Sequence, residues 1–378
     1  MRVLLINQSP GYLFHDICER FFDGSVEIDA LIGVDSAYSD PRITCHYFTS
    51  YNRKSILTRL MSWLVFSIQS FRFIIKNKGN FDHIIFTTNP PLIIFLAPLI
   101  NTKFSILIYD LYPRIFGLAL NLPLNGFIFK LLKKLSYLFY KKSEFVFVIS
   151  AEMKCAFLSD FPSPCMKQKV TVVPLWHDAK LSLNTVASRQ LKFANIGEKF
   201  VVLYSGNIGV SHPINALLCA AGLIEDPNIH FFIFSNGLAG QKKIQRGEYS
   251  SNVSVYPLQP RSEFSHILKH SKIGIVVLAS NYSDLSVPSK TFNLLSHGIP
   301  IIAICDEASS LARLITGSNC GIVVPLDNTQ KTAEAILSIY SSPELLKRLS
   351  KNAFIASKAH TPKNASIFYE KIVRRVKS

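Results

Sequence analysis

The chain has 378 residues, enough for two domains each with its own core. Hydrophobic residues make up 48% and charged residues 17%, which excludes disordered and fibrous classes. The formal net charge of +16 is spread over both halves and points to an anionic partner.

No zinc-finger or RNP signature is present, so a membrane surface or an anionic small substrate fits that charge better than nucleic acid. The mean hydropathy is high, at +0.24. Yet no apolar run reaches the ~18–20 residues needed to span a bilayer. Residues Ile84–Ile100 come nearest and are broken by Asn89-Pro90-Pro91. Met1–Ile6 reads as a strand and not as a secretory leader. The seven cysteines are scattered without metal-ligand spacing, as expected of reduced thiols in a cytoplasm.

Arg2–Asn7 opens the chain as a buried strand, followed by the turn Gln8-Ser9-Pro10-Gly11-Tyr12. In a doubly wound sheet that loop lies at the carboxyl edge, where ligands bind, so Pro10 and Gly11 are candidates. Ser55–Lys76 reads as a helix that is apolar nearly all round. It suits either a core or partial burial in a membrane face, with Arg59 and Trp63 at headgroup level. His83–Thr88 is a strand, Asn89-Pro90-Pro91 a rigid loop, and a helix is expected from about Leu92. The strand Phe104–Tyr109 ends in Asp110, a carboxylate at a strand's carboxyl end.

Asn125–Lys142 is the clearest amphipathic helix. Lys130, Lys133, Lys134, Tyr137 and Lys141 share one face, which is either merely solvated or suited to anionic headgroups. Strands Phe145–Ile149 and Val170–Val173 complete this half. The linker is expected at 178–199, between a first domain at 1–177 and a second at 200–362.

The second half repeats the rhythm. Strand Phe200–Tyr204 leads into Ser205-Gly206-Asn207-Ile208-Gly209, where glycines let the backbone approach a ligand. A helix over Pro213–Leu223, strand Ile229–Phe234, loop Ser235-Asn236-Gly237 and strand Val253–Pro257 follow, then helix Ser262–His270 and strand Ile273–Leu278. Next comes Asp284–Ile304, with Ser286 as the expected cap, Pro288 in the first turn and Lys290 close behind. Gly298 and Pro300 stop the helix before the buried strand Ile301–Ile304. A helix start with a lysine is a candidate diphosphate site, or an ordinary capped helix with a surface lysine. Strand Gly321–Val324 follows, and a final helix over 363–378 is expected to cross back to the first domain. The alternation predicts an α/β chain of two Rossmann-like, doubly wound domains. Walker A, HExxH, GxSxG and DxD motifs are all missing, and no bound metal is expected.

Several segments in order resemble family 4 glycosyltransferases of the GT-B fold, in which two Rossmann-like domains face a cleft. They are Thr87–Leu92 (TTNPPL), Asp110–Pro113 (DLYP), Val148–Ser150 with Met153-Lys154, Tyr204–Gly209 (YSGNIG), and Val287–Lys290 (VPSK) with Gly298 and Pro300. The chain is most similar to the bacterial subgroup of O-antigen, capsule and colanic-acid assembly that includes N-acetyl-L-fucosamine transferases. The resemblance implies a retaining transferase that needs no metal or other cofactor. It would take a UDP-sugar on the second domain and a polyprenyl-diphosphate-linked saccharide on the first, at the cytoplasmic face of the inner membrane.

By the same resemblance, Gly206, Asn207, Gly209, Ser235, Asn236, Pro288, Ser289, Lys290 and Asn293 would bind the donor. Pro10, Gly11, Asn89, Pro90 and Asp110 would bind the acceptor, with Asp110 and Lys290 catalytic. Arg59, Trp63, Lys130, Lys133, Lys134 and Lys141 would touch the membrane. The chain lacks the Arg and Lys that many members carry after the first glycine of the second domain. It has Leu285 and Asn293 where they carry glutamates, which leaves Lys290 the larger electrostatic share. Two other functions stay open: a non-catalytic scaffold subunit of a polysaccharide-assembly complex, and a UDP-sugar 2-epimerase.

Overall fold

The structure, a computed structural model, describes residues 1–22, 26–34, 40–52, 54–96, 99–119, 122–123, 126–183, 196–235 and 249–373. The chain divides into two compact units. Met1–Pro174 with Pro362–Ser378 forms the first, and Leu175–Thr361 the second. Each is built on one parallel sheet, the architecture expected of strands alternating with helices.

The first sheet contains β1 (Arg2–Asn7), β2 (Glu27–Gly33), β3 (Ile43–Phe48), β4 (His83–Thr87), β5 (Phe104–Ile108), β6 (Val146–Val148) and β7 (Val170–Val172). Their spatial order is β3-β2-β1-β4-β5-β6-β7, so the winding reverses between β1 and β4. The loops after those two strands therefore flank the switch point, where an open α/β sheet leaves a crevice. β1 and β4 are buried almost throughout, which is why they read as unbroken apolar runs.

β2 and β3 lie outside the sequence expectation because each carries a charge-bearing residue. Asp29 in β2 is 1% exposed and accepts hydrogen bonds from Arg2 (2.7 and 3.0 Å) and His46 (2.9 Å). Pairing makes the buried carboxylate tolerable, but it erases the apolar signature. The helix expected from Leu92 is only a short 3-10 turn, Pro91–Phe95.

The second sheet contains β8 (Phe200–Ser205), β9 (Ile229–Phe234), β10 (Val253–Tyr256), β11 (Ser271–Val277), β12 (Ile301–Ile304) and β13 (Gly321–Val324). Its order is β10-β9-β8-β11-β12-β13, and the switch point lies between β8 and β11. Its core joins apolar residues of these strands, such as Val202, Ile233, Ile275 and Ile302, to Leu217, Ile336 and Leu349 from covering helices. The linker expected at 178–199 begins inside this unit. Ala179–Leu183 is a helix, and the Leu181 carbonyl accepts from Ser265 Oγ at 2.7 Å. Residues 184–195 of that linker lie outside the described residues.

The final segment belongs to the first unit. Helix Ser366–Ile372 packs Phe368 on Phe147 (ring centroids 4.5 Å) and Tyr369 on Phe21 (5.8 Å).

One contact seats the helix that carries Lys290. Gly274 in β11 leaves room for Leu294, whose Cδ1 lies 2.5 Å from where a Cβ would stand. Gly274→Ala should lower unfolding free energy by about 1–3 kcal/mol, the scale of overpacking. Urea denaturation measures this, and unchanged stability would rule out the tight seat.

Candidate active site

Both switch points carry polar groups held by short backbone contacts. In the second unit β8 runs into Gly206, whose φ of +143° favours glycine. Its N–H bonds the Phe234 carbonyl at 3.0 Å. A Cβ there would stand 3.2 Å from Lys290 Nζ, so glycine also permits the close approach of the lysine. The Tyr204 hydroxyl donates to the Asn207 carbonyl at 2.9 Å, and Gly209 and His212 close the loop by exchanging backbone hydrogen bonds. His212 Nδ1 donates to the Val277 carbonyl at 2.7 Å and ties the loop to the end of β11. Burial, helped by the Lys290 charge, lowers the His212 pKa to about 4, so the ring is neutral.

Lys290 begins the helix Lys290–Ser296. Its Nζ lies 3.9 Å from the centroid of the Tyr204 ring, shielded from water, with no hydrogen-bond partner among the described residues. Burial lowers its pKa to about 7. Thr291 Oγ1 is likewise buried without a partner there. A cation held this way is suited to pairing with an anion.

The local structure corrects the expected cap. Ser286 lies in a loop, and Ser289 is the residue before the helix, with no side-chain cap bond. The helix has seven residues, so its dipole is short and the full charge of Lys290 dominates. Pro288 is buried beneath this turn, and its carbonyl accepts from the Thr291 N–H. Asn293 Oδ1 accepts from the Asp178 N–H at 2.8 Å, so only its amide nitrogen is left for a ligand. Ser235, at the end of β9, is buried, and its N–H bonds the Tyr256 carbonyl. Asn236 lies outside the described residues. Sequence reasoning missed His212 as a tether. It also missed Asp306, just past β12, which accepts from Ser280 Oγ (2.8 Å) and Ser283 Oγ (3.2 Å). A carboxylate two residues beyond a buried strand was the available signal.

In the first unit three loops meet. The Asn89 carbonyl accepts from the Gln8 N–H at 2.9 Å, and Asn89 Nδ2 donates to Asn7 Oδ1 at 3.0 Å. Thr88 Oγ1 accepts from the N–H groups of Tyr109 (3.0 Å) and Asp110 (3.3 Å). Asn89, Pro90 and Asp110 are thus brought together, with Pro10 and Gly11 on the adjoining loop after β1. Burial raises the Asp110 pKa to about 6.

The expected membrane residues divide. Trp63 does not face outward: it stacks on Tyr51 (5.9 Å) and meets Phe116 edge-on (6.3 Å), with its indole nitrogen buried. Arg59 also turns inward, and its Nε is buried. The exposed face of that helix instead shows Leu57, Met61, Leu64, Val65 and Ile68. On helix Phe127–Lys142, Lys130, Lys134 and Lys141 are exposed. Lys133 pairs with Asp160 at 3.2 Å. The lysines do not stand apart from an apolar side. Phe127, Ile128, Leu131, Leu135 and Leu138 are exposed beside them, and Phe129, Phe139 and Tyr140 face the core.

Comparison with known proteins decides the class. Residues 188–355 match the family described as Glycosyl transferases group 1. The chain is a glycosyltransferase. It is 23% identical over 346 residues to WbjE of Pseudomonas aeruginosa, named as a glycosyltransferase, covering 87% of this chain and 85% of that one. It is 28% identical over 152 residues to WcaI of Escherichia coli K12, named for colanic acid biosynthesis, covering 35% and 37% of the two chains. Among solved structures, HepE from Anabaena in complex with UDP-glucose shares the fold, with a TM-score of 0.72 at 13% identity over 99% of this chain and 100% of that one.

Burial sets the pH behaviour of Lys290 in this glycosyltransferase. Below pH about 7 it is protonated in both folded and unfolded chains, and the penalty of burying its charge is fully present. Between about 7 and its ordinary 10.5 the unfolded chain holds the extra proton, so the ligand-free protein gains stability as pH rises. A diphosphate placed beside Nζ, for which UDP is the probe, should reverse this by favouring the ammonium. Calorimetry at pH 8 in buffers of different ionisation enthalpy should show close to one proton taken up per UDP bound, and none in Lys290→Met. Equal uptake by both proteins would exclude Lys290 as the proton acceptor.

Proposed function

We propose that the protein moves a sugar from a UDP-sugar to a lipid-diphosphate-linked saccharide during bacterial surface-polysaccharide synthesis, with retention at the anomeric carbon and no metal. The sugar would be an N-acetylated or deoxy hexose. The observation that carries this reading is the buried Nζ of Lys290 beside Gly206, without a hydrogen-bond partner among the described residues. Glycosyl transfer from such a donor expels a dianionic nucleoside diphosphate, and a preorganised cation in a dry site stabilises that charge as it develops. Gly206, Asn207 and Gly209 offer backbone approach to the same phosphates. Asp110, mostly ionised above pH about 6, would orient an acceptor hydroxyl and draw on its proton. Support for the donor comes from HepE, solved with UDP-glucose. Support for the setting comes from WcaI, named for colanic acid biosynthesis.

Lys290→Ala should reduce turnover by roughly 10²-fold or more, the scale of losing one charge-stabilising group. It should also shrink the rise in melting temperature given by UDP, which at 100 times its Kd is worth about 2.7 kcal/mol of stability. A wild-type protein indifferent to UDP would overturn the reading and favour a scaffold subunit.

The same reading places the protein on the cytoplasmic membrane surface. No helix among the described residues is long and apolar enough to cross a membrane. Two helices of the first unit nevertheless expose apolar stripes, and the second mixes them with lysines, as interfacial helices do. Leu131→Glu with Leu135→Glu should abolish cosedimentation with phosphatidylglycerol vesicles while leaving UDP binding intact. Undiminished cosedimentation would exclude this face.

A further inference from the structure

The helix Ile56–Lys76 carries different chemistry on its two sides. Its outward stripe, Leu57, Met61, Leu64, Val65 and Ile68, is aliphatic. Its inward side holds two hydrogen-bond donors that have no acceptor among the described residues, Arg59 Nε and Trp63 Nε1, both shielded from water. Leaving a buried donor unsatisfied is costly, and more so for a charged group. Two such donors one helical turn apart therefore need an explanation.

Their neighbours supply one. Trp63 stacks on Tyr51 and meets Phe116, and Phe116 packs on Tyr112 with centroids 4.6 Å apart. The Tyr112 phenol lies within electrostatic reach of Asp110, Tyr51 and Arg59 together. The two donors thus belong to the cluster that follows Asp110 at the carboxyl edge of the first sheet. Polar groups near them make bonds of their own, and Gln8 Oε1 is a buried acceptor without a partner among the described residues. Ser62 Oγ donates to the Arg59 carbonyl (2.8 Å), Ser67 Oγ to the Trp63 carbonyl (2.7 Å), and Gln8 Nε2 to the Ser62 carbonyl (3.0 Å). No ion pair joins Arg59 to Asp110 among the described residues. A guanidinium and an indole N–H one turn apart suit a partner rich in acceptors and negatively charged.

We propose that Arg59 and the Trp63 indole N–H hold the diphosphate of the lipid-linked acceptor, while the outward stripe of the same helix faces its hydrocarbon chain. This rests on the acceptor class given under Proposed function. Four residues of helix set the backbone positions of Arg59 and Trp63 ~6 Å apart along the axis, about the span of a diphosphate. A guanidinium forks onto phosphate oxygens, and an indole N–H gives one further bond. Asp110 then meets the saccharide beyond the phosphate.

Fluorescence tests this, because the chain has only two tryptophans and Trp176→Phe leaves Trp63 as the reporter. Farnesyl diphosphate is titrated with UDP saturating, so that the second unit's anion site is filled. A saturable change in emission is expected, with binding weakened at least ~10-fold by Arg59→Gln and only partly restored by Arg59→Lys, whose point charge cannot fork. Calorimetry on the chain with both tryptophans makes the same comparison if Trp176→Phe does not fold, and there Trp63→Phe removes one donor while keeping a ring. Equal affinity in wild type and Arg59→Gln would overturn the proposal. So would an equal response to farnesol, or a response to phosphatidylglycerol vesicles and none to farnesyl diphosphate. An intact UDP-induced melting shift in Arg59→Gln shows a folded donor unit, so this proposal can fail while the donor reading stands. Loss of that shift in wild type is the separate failure of the donor reading.

Discussion

An ammonium group enclosed with no counter-ion among the described residues is the constraint on which the second unit's site depends. Taking a charge out of water is expensive, and proteins normally offset it with a partner or surrender the proton. Lys290 Nζ is shielded from solvent and has no hydrogen-bond partner among the described residues, and burial lowers its pKa toward neutrality. Everything around it preserves this state. Gly206 lets the backbone come within reach of Nζ, the Tyr204 ring offers a π face, and His212 stays neutral through its bond to the Val277 carbonyl. A neutral His212 matters, because a second cation here would weaken the hold of Lys290 on its own proton.

Topology explains why these groups meet. In each sheet the winding reverses once, between β1 and β4 and between β8 and β11. Chain leaving the two strands at a reversal diverges, and the gap at their carboxyl ends is open to a ligand. The loop after β8 supplies Gly206 through Gly209, and the segment after β11 supplies Lys290. In the first unit the loops after β1 and β4 supply Pro10, Gly11, Asn89 and Pro90, and Asp110 follows β5. Thr88 ties the last of these to the switch point through its hydroxyl. The same geometric rule, applied twice, gives one edge that is basic and one that carries a carboxylate.

Much of this was legible in the sequence, and the reason differs by element. Strands buried on both faces, such as Ile301–Ile304, read directly, because every side chain in them is apolar. β2 and β3 did not, because Asp29 and His46 interrupt them and are compensated by partners distant in sequence. Lys290 was legible from its neighbours Pro288 and Ser289, but the start of its helix was not. Ser286 has the composition of a cap, and the backbone there runs on as loop until Ser289. Direction was the hardest property to read. Arg59 and Trp63 have the composition of headgroup anchors and point the other way, because both faces of helix Ile56–Lys76 are apolar and periodicity alone does not rank them. Asn293 was expected to bind the donor, and its side-chain carbonyl accepts from the Asp178 N–H, a contact across 115 positions of sequence.

Asp110 and Lys290 show how one physical cause readies opposite groups. Burial raises the acid to about 6 and lowers the base to about 7, so both approach neutrality from opposite sides. In the empty protein each is therefore close to giving up its charge, which limits the cost of enclosing it. Substrates restore what burial removes. Under the proposed function, a diphosphate would stabilise the lysine's proton, and an acceptor hydroxyl would offer the carboxylate a hydrogen bond. Full charge at Lys290 would then be favoured only when the group that carries the leaving electrons is in place. The site need not sustain a bare buried charge between turnovers, nor wait for solvent to reorganise when the glycosidic bond breaks.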